Sequence, residues 1–244
     1  MDTQIKNLNL PIDCACVLHG DLYSWDYVDK LYNMLNRHLT RPVNLHVYTE
    51  ESRAVPAHMI KHSLIDWGIG GAKKAWWYKM QLFNNEHHNG PLLYFDLDTV
   101  ITNNIDWIWQ LSTKHFWSVR DFKYLWRPSN YSVNSSVMWW DTNRYKYIWA
   151  ETVRRKLTDL LVRYHGDQDF ITELIPQGER HSFNTDWVQS WRWQALDGGY
   201  NFKRRIYLQP NSGTTIAKNT SILVFHGNPK PSDIQDPAVL AHWR

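Results

Sequence analysis

Apolar and polar positions along this chain switch repeatedly between a strand period and a helix period. Cys14 to Leu18 is an apolar run broken by His19-Gly20-Asp21, which reads as a strand. Tyr27, Val28, Leu31, Tyr32, Leu35 and His38 then recur near helical spacing. A helix is predicted from about Trp25 to Leu39, with Ser24 placed to cap it and Pro42 beyond its end. Val43, Leu45 and Val47 alternate, so Val43 to Thr49 is a strand. Strand, helix, strand is the opening of a parallel sheet. Beyond the loop Gly68-Ile69-Gly70-Gly71, Ala72 to Phe83 is a predicted helix with Ala75, Tyr78 and Leu82 on one stripe. Leu92 to Asp98 is a predicted buried strand, followed by strands at Phe116 to Val119 and Ser135 to Trp140. Asn143 to Tyr164 carries the longest helical pattern and Asp169 to Leu174 a short one; Ile206 to Leu208 and Ile222 to Phe225 are late strands. No linker divides the pattern, which predicts one α/β domain over residues 1–244.

Composition narrows the picture. A chain of 244 residues can bury a substantial core. Its net charge of +3 is too mild to imply nucleic acid, and Arg154-Arg155-Lys156 falls inside a helical pattern as a solvated face. The two cysteines, Cys14 and Cys16, sit on one face of the first strand and read as core residues, a usage that suits a reducing cytoplasm. The segment from Met1 to Leu10 lacks a signal-peptide apolar stretch, and no run reaches transmembrane length. A cytoplasmic protein, free or peripheral to a membrane, is expected. Tryptophan is unusually frequent, at 15 residues. That excess can fill a core, or supply flat faces with a hydrogen-bonding edge that suit sugar rings.

Candidate chemistry begins at Asp96-Leu97-Asp98, which ends the apolar run Leu92-Leu93-Tyr94-Phe95. In a strand the two carboxylates share a face, and they repel unless a cation lies between them. At the C-terminal end of a sheet strand they offer a site for a divalent metal carrying a phosphate. His226 leaves the last strand into Gly227-Asn228-Pro229-Lys230-Pro231, where it can serve as a third ligand and Lys230 can reach a phosphate. Gly166-Asp167-Gln168-Asp169 sets a carboxylate beside an amide, suited to sugar hydroxyls or to a cationic transition state, although Asp167 can equally be an N-cap. Asn134-Ser135-Ser136 is a polar triplet that also reads as a turn.

Taken in order, these segments resemble glycosyltransferases of the GT-A fold, near the glycogenin and bacterial lipooligosaccharide galactosyltransferase group. The resemblance is carried by Tyr27 to Met34, Lys79-Met80-Gln81-Leu82-Phe83, Leu93 to Val100, Asn134 to Met138, Gly166 to Asp169 and Phe225 to Pro231. It implies a single GT-A, Rossmann-like domain with a mixed, mostly parallel sheet flanked by helices. Residues 12–101 would form the nucleotide-binding part, and 102–244 the part for donor sugar and acceptor. The implied activity is metal-dependent transfer of a sugar from a nucleotide-diphospho-sugar, of UDP type, to a glycan, lipid-linked or protein acceptor, with retention. By position, Asp96, Asp98 and His226 would hold Mn²⁺ or Mg²⁺, and Asp96 would also touch the ribose. Lys230 would meet the diphosphate, Asn134 and Asp167 the donor sugar, and Gln168 the anomeric carbon. Lys79 and Asp169 belong to the donor site as well. The loop at Asp21, with Tyr23 as a stacking partner, offers the nucleotide pocket. Trp187 and Trp191 are the candidate acceptor platform, or else a hydrophobic cover over the sheet. Departures are Lys79 where many relatives have arginine, Ser136 for a glycine, Ser232 for a tryptophan after Pro231, and a short His226-to-Lys230 spacing.

Two other readings compete. Asp96-Leu97-Asp98-Thr99-Val100 also resembles the nucleophile motif of haloacid-dehalogenase-like phosphatases, which lies on the first strand, whereas here two strands precede it. The chain could instead be an inactive Trp-rich carbohydrate-binding protein.

Overall fold

The strands carry apolar side chains on both faces, and this places the main sheet between two cores. A computed structural model describes residues 10–69, 74–201, 206–207 and 213–244. Its strands are β1 (Ile12–Leu18), β2 (Val43–Thr49), β3 (Ile60–Ser63), β4 (Pro91–Phe95), β5 (Thr99–Ile101), β6 (Phe116–Arg120), β7 (Val133–Asp141), β8 (Arg180–Ser182), β9 (Val188–Ser190), β10 (Tyr200–Asn201), β11 (Ile206–Tyr207) and β12 (Ile222–Val224). The seven-stranded sheet has the order β3-β2-β1-β4-β7-β6-β8. β3, β2, β1 and β4 run parallel, β7 is antiparallel to both of its neighbours, and β8 is parallel to β6. A smaller sheet, β5-β12-β9, stands beside it, and β10 pairs with β11. The predicted α/β architecture with a mixed, mostly parallel sheet is what the chain adopts.

Period-two alternation sorts the core. Cys14, Cys16, Leu93, Phe95, Val137 and Trp139 face the side covered by helix α1 (Trp25–His38), which buries Val28, Leu31 and Leu35. Ala15, Leu92, Tyr94, Met138 and Trp140 face the other side, against Trp77, Tyr78 and Phe83. Both cysteines are fully buried free thiols, and burial raises their pKa. Much of the tryptophan excess is spent in these cores: Trp77, Trp139, Trp140, Trp191 and Trp243 are all buried.

Three predicted elements differ. Ala75–Phe83 is a 3₁₀ helix; Trp77 to Phe83 is buried on every side, so its sequence has no solvent stripe from which a helical period could be read. Ala72, its expected start, lies outside the described residues, as does Leu208 at the end of a predicted strand. A short helix α2 (Asp106–Trp109) follows β5, and the long helix expected over Asn143 to Tyr164 is three helices, α3 (Thr142–Tyr145), α4 (Tyr147–Arg154) and α5 (Leu157–Arg163). Lys156 takes a φ of 57°, which no α-helix interior accommodates, and Glu151 draws back Arg154 and Arg155 at 2.6 and 2.9 Å to finish α4. No glycine or proline marks that break. Finally, β4 stops at Phe95. Asp96 to Thr99 is a turn closed by the Thr99 N–H and hydroxyl on the Asp96 carbonyl, at 3.2 and 2.7 Å, and it carries the chain from the large sheet to β5 in the small one. β3, β8 and β9 were not read from the sequence; each is only three or four residues long.

Candidate active site

The C-terminal ends of β1 and β4, the first residues of antiparallel β7 and the chain leaving β12 converge on one cavity of about 690 Å³. This is the end of an α/β sheet at which ligands bind. The start of helix α6 (Asp167–Leu174) adds a further wall.

The floor is charged. Lys79 projects from the 3₁₀ helix and is buried, with its Nζ 2.8 Å from Asp96 Oδ1, 3.7 Å from Asp167 Oδ2 and 3.1 Å from Ser135 Oγ. Burial alone would lower its pKa, but the carboxylates of Asp167 and Asp96 outweigh that and hold it above the usual lysine value. Asp167 is not an N-cap; Gly166 holds that position, and the Asp167 side chain turns inward to accept from Ser135 Oγ at 2.6 Å. Its pKa is raised by burial, against the pull of Lys79 and Ser135. The triplet Asn134-Ser135-Ser136 belongs to β7, and all three residues line the cavity.

The D-x-D turn forms the adjoining wall. Asp96 accepts from the Tyr94 hydroxyl at 2.6 Å, and its backbone N–H is held by the Ser136 carbonyl. Asp98, buried, accepts on Oδ2 from the Tyr23 hydroxyl at 2.9 Å and from Lys230 Nζ at 2.5 Å. Burial, then the charge on Asp96, raises its pKa against those two partners. The same burial and the same two carboxylates push the Tyr23 hydroxyl far up, so it remains a donor. The strand argument for two carboxylates on one face does not apply, since they lie in a turn; both nevertheless line the cavity.

His226 is held in the opposite wall. It stacks on Phe122 at 5.2 Å, meets the edge of Trp193 at 4.3 Å, and its Nε2 is 2.7 Å from Ser190 Oγ. Burial, then the charges of Arg192 and Lys230, lower its pKa to about 3, so the ring is neutral. Gly227 follows at φ +79°, and a Cβ there would sit 2.8 Å from the Arg192 guanidinium, so glycine is required.

Among the sequence-predicted residues, the cavity thus brings together Tyr23, Lys79, Asp96, Asp98, Asn134, Asp167, Gln168, His226 and Lys230. Asp21 is exposed and does not line it, and Asp169 points elsewhere on α6. The candidate tryptophan platform lies outside this cavity. Trp191 is buried, stacked on Phe225 at 4.9 Å with its indole N–H on Thr214, and Trp187 packs against Trp107 at 5.0 Å; neither lines the cavity. The wall residue that sequence reasoning missed is Trp76. Its indole Nε1 is buried and has no hydrogen-bond partner among the described residues, and it lies 3.3 Å from where a Cβ on Gly166 would be. His19 and His165 also line the cavity, and His19 stacks on Tyr78 at 3.7 Å.

No family model and no curated protein matches the sequence. Solved structures do match. The chain is similar to an active-site mutant of LgtC, with a TM-score of 0.66 and 12% identity over 94% of this chain and 93% of that one. It is similar to the glycosyltransferase GlyE of Streptococcus pneumoniae, with a TM-score of 0.62 and 14% identity over 93% of this chain, which spans 57% of GlyE. Mouse xyloside xylosyltransferase 1 follows at a TM-score of 0.52 and 16% identity, over 90% of this chain and 98% of that one. The chain has a GT-A fold. In that fold the D-x-D segment follows β4 and leads into a second sheet, away from the first-strand position that the phosphatase motif needs. No helix among the described residues is long and apolar enough to cross a membrane.

Proposed function

We propose that this chain is a glycosyltransferase that moves a sugar from a UDP-sugar to an acceptor with retention of configuration. One observation carries the reading: a single cavity at the switch from large to small sheet holds a buried lysine between two carboxylates and, beside it, a third carboxylate on a second lysine. The fold's solved relatives include a galactosyltransferase crystallised with donor and acceptor sugar analogues.

Asp96, Asp98 and His226 would hold a divalent ion, Mn²⁺ or Mg²⁺. The residues fit such an ion by chemistry: two carboxylates whose mutual repulsion already raises one pKa, and a neutral imidazole oriented by a hydrogen bond to its Nε2. When bound, the ion would offset the charge of the departing diphosphate. Lys230 competes with that ion for Asp98 and, displaced from it, would turn to the diphosphate. Tyr23 would border the nucleotide. Asn134 and Asp167 would grip the donor sugar, with Lys79 and Ser135 fixing the Asp167 carboxylate. The Gln168 side-chain oxygen would face the positive charge that develops at the anomeric carbon. Residues 12–101 would thus serve mainly the nucleotide, and 102–244 the sugar and acceptor.

The test is release of the nucleotide, UDP, GDP or CMP, from a panel of UDP-, GDP- and CMP-sugars, with Mn²⁺ and with EDTA, followed by NMR. Metal-dependent UDP release supports the reading. Faster turnover of another nucleotide overturns the UDP assignment, and phosphate release from a simple monoester with no nucleotide-sugar turnover overturns the whole reading.

A further inference from the structure

A second cluster of ligating groups lies at the far end of the same sheet. Asp13 on β1 and His46 on β2 are on neighbouring parallel strands, where Asp13 registers with Asn44 and Ala15 with His46. The two side chains therefore reach the same face one step apart. His46 Nε2 is 3.2 Å from Asp13 Oδ1. His88, in the loop that enters β4, lays its ring against His46 at 4.9 Å and 75°. One ligand atom from each of Asp13, His46 and His88 can be chosen so that all lie within 4.8 Å of one another; among the described residues this is the one such His/Cys/Asp/Glu trio. Asp13 stands four positions before Val17, the first residue of β1 to line the donor cavity, so at about 3.3 Å per residue the trio is set about 13 Å back from it.

The surroundings favour a metal over an ordinary ion pair. His46 directs its other nitrogen, Nδ1, to His62 Nε2 at 2.8 Å, the outer-shell hydrogen bond that fixes tautomer and orientation in a ligating histidine. Asn44 Nδ2 donates to Asp13 Oδ1 at 2.9 Å and steadies the carboxylate. His62 packs against two further rings, with Tyr48 at 4.5 Å and His87 at 5.6 Å. A lone Asp–His pair needs none of this. His46 and His88 stand together beside one acid, with no lysine or arginine among these contacts, and form a donor set rather than a charge pair.

We propose that Asp13, His46 and His88 bind a divalent transition ion of Zn²⁺ type, with His62 as the orienting partner of His46. Two imidazoles and one carboxylate are a borderline-soft set that suits Zn²⁺ and leaves a fourth position to water. Ligand atoms around tetrahedral Zn²⁺ stand about 3.4 Å apart, so a small closure of the His88 loop completes the sphere. The ion would clamp the loop that leads into β4 onto β1 and β2. Its role is structural and does not depend on the proposed sugar chemistry.

The test uses chelator-stripped, tag-free protein and Zn²⁺ alone, with bound metal counted by mass spectrometry after gel filtration and Tm read by calorimetry. The background is Asp98→Asn, so that the donor cavity is impaired as a metal site. One retained equivalent and a Zn²⁺-dependent rise in Tm are expected, both lost in His88→Ala and in Asp13→Asn. His62→Gln should keep the equivalent with affinity 10- to 100-fold weaker. Co²⁺ in place of Zn²⁺ should give the visible absorption of a four-coordinate site, abolished by His88→Ala. If Asp98→Asn alone removes all Zn²⁺ binding, or if His88→Ala and Asp13→Asn leave stoichiometry and Tm shift unchanged while circular dichroism shows them folded, the proposal is overturned.

Discussion

Lys230 Nζ sits 2.5 Å from Asp98 Oδ2, joining the loop after β12 to the D-x-D turn across 132 residues of chain. The contact only partly offsets the cost of burying Asp98, whose pKa stays raised by desolvation and by Asp96. A raised pKa means the folded state binds the proton more tightly than the unfolded chain. The stability linked to that proton is present below the ordinary value of 3.8 and is lost as pH rises through the folded one. At neutral pH the ionised Asp98 therefore works against the fold.

Asp98→Asn is accordingly expected to raise the Tm of the metal-free protein at neutral pH. Relief of about 1 kcal/mol would give about 2–4 °C in a chain of this size, shrinking as pH falls toward 3.8. On the proposed function the same substitution should lower metal-dependent turnover about 100-fold or more. Calorimetry across pH, paired with a UDP-release assay, checks both. A fall in Tm at neutral pH would show that Lys230 and Tyr23 more than compensate the buried charge.

Lys79 has the opposite sign. Its pKa is held up by Asp167 and Asp96, so it contributes stability that is lost only as pH rises past the lysine range. Lys79→Met strands two carboxylates, one of them fully buried, and is expected to destabilise the protein by about 3 kcal/mol near neutral pH. Asp167, with its raised pKa, protonates before an ordinary carboxylate as pH falls, so the penalty should be smaller at about pH 5 than at about pH 7. Urea unfolding at the two pH values gives the comparison. An equal penalty at both would mean that Asp167 is not the group Lys79 neutralises.

Gly166 is extended, with φ −160° and ψ 176°, a backbone open to any residue. Its constraint is contact: a Cβ would lie 3.3 Å from Trp76 Nε1. Gly166→Ala should therefore displace the indole into the cavity, raising KM for the donor several-fold with a Tm change of a degree or two. Donor titrations by calorimetry distinguish this from a fold defect, which would lower Tm without changing KM.

The contrast between what was readable and what was not follows range. β1, β2, β4 and β7 were legible because each carries an apolar run long enough to bury, and α1 because one face of it meets the sheet. Lys79 and the motifs around Asp96, Asp167 and His226 were legible as short segments in a fixed order. Illegible were the relationships between segments. Nothing near Ser135 in sequence says that it bridges Lys79 and Asp167. Nothing near Trp191 says that Phe225 covers its ring, and nothing near Asp13 says that His46, on the next strand, and His88, in a loop, will meet it. Register and loop closure decide those contacts, and neither is a local property of the chain. Turn chemistry was also hidden, since Leu97, Val100 and Ile101 keep apolar residues coming after Asp96 while the backbone has already left the strand.

Retention is the expectation on which the proposed mechanism turns. An inverting route needs a base on the acceptor side, and the carboxylates of the cavity are occupied: Asp96 by Lys79 and Tyr94, Asp98 by Lys230 and Tyr23, Asp167 by Ser135 and Lys79. Asp186 and Asp197, the acids flanking the Trp-rich stretch from Trp187 to Trp193, do not line the cavity. The remaining candidates are His19 and His165, and His19 is stacked on Tyr78. A retaining route needs neither, because the departing diphosphate can take the acceptor's proton. With an α-linked UDP-sugar the first-formed product should therefore be α-linked by NMR. His165→Gln should keep turnover within about tenfold, whereas loss of a general base typically costs about 10²- to 10⁴-fold. Gln168→Ala, which removes the side chain nearest the proposed anomeric position, should lower kcat more than it raises KM. A β-linked first product together with a large loss in His165→Gln would assign inversion and make His165 the base.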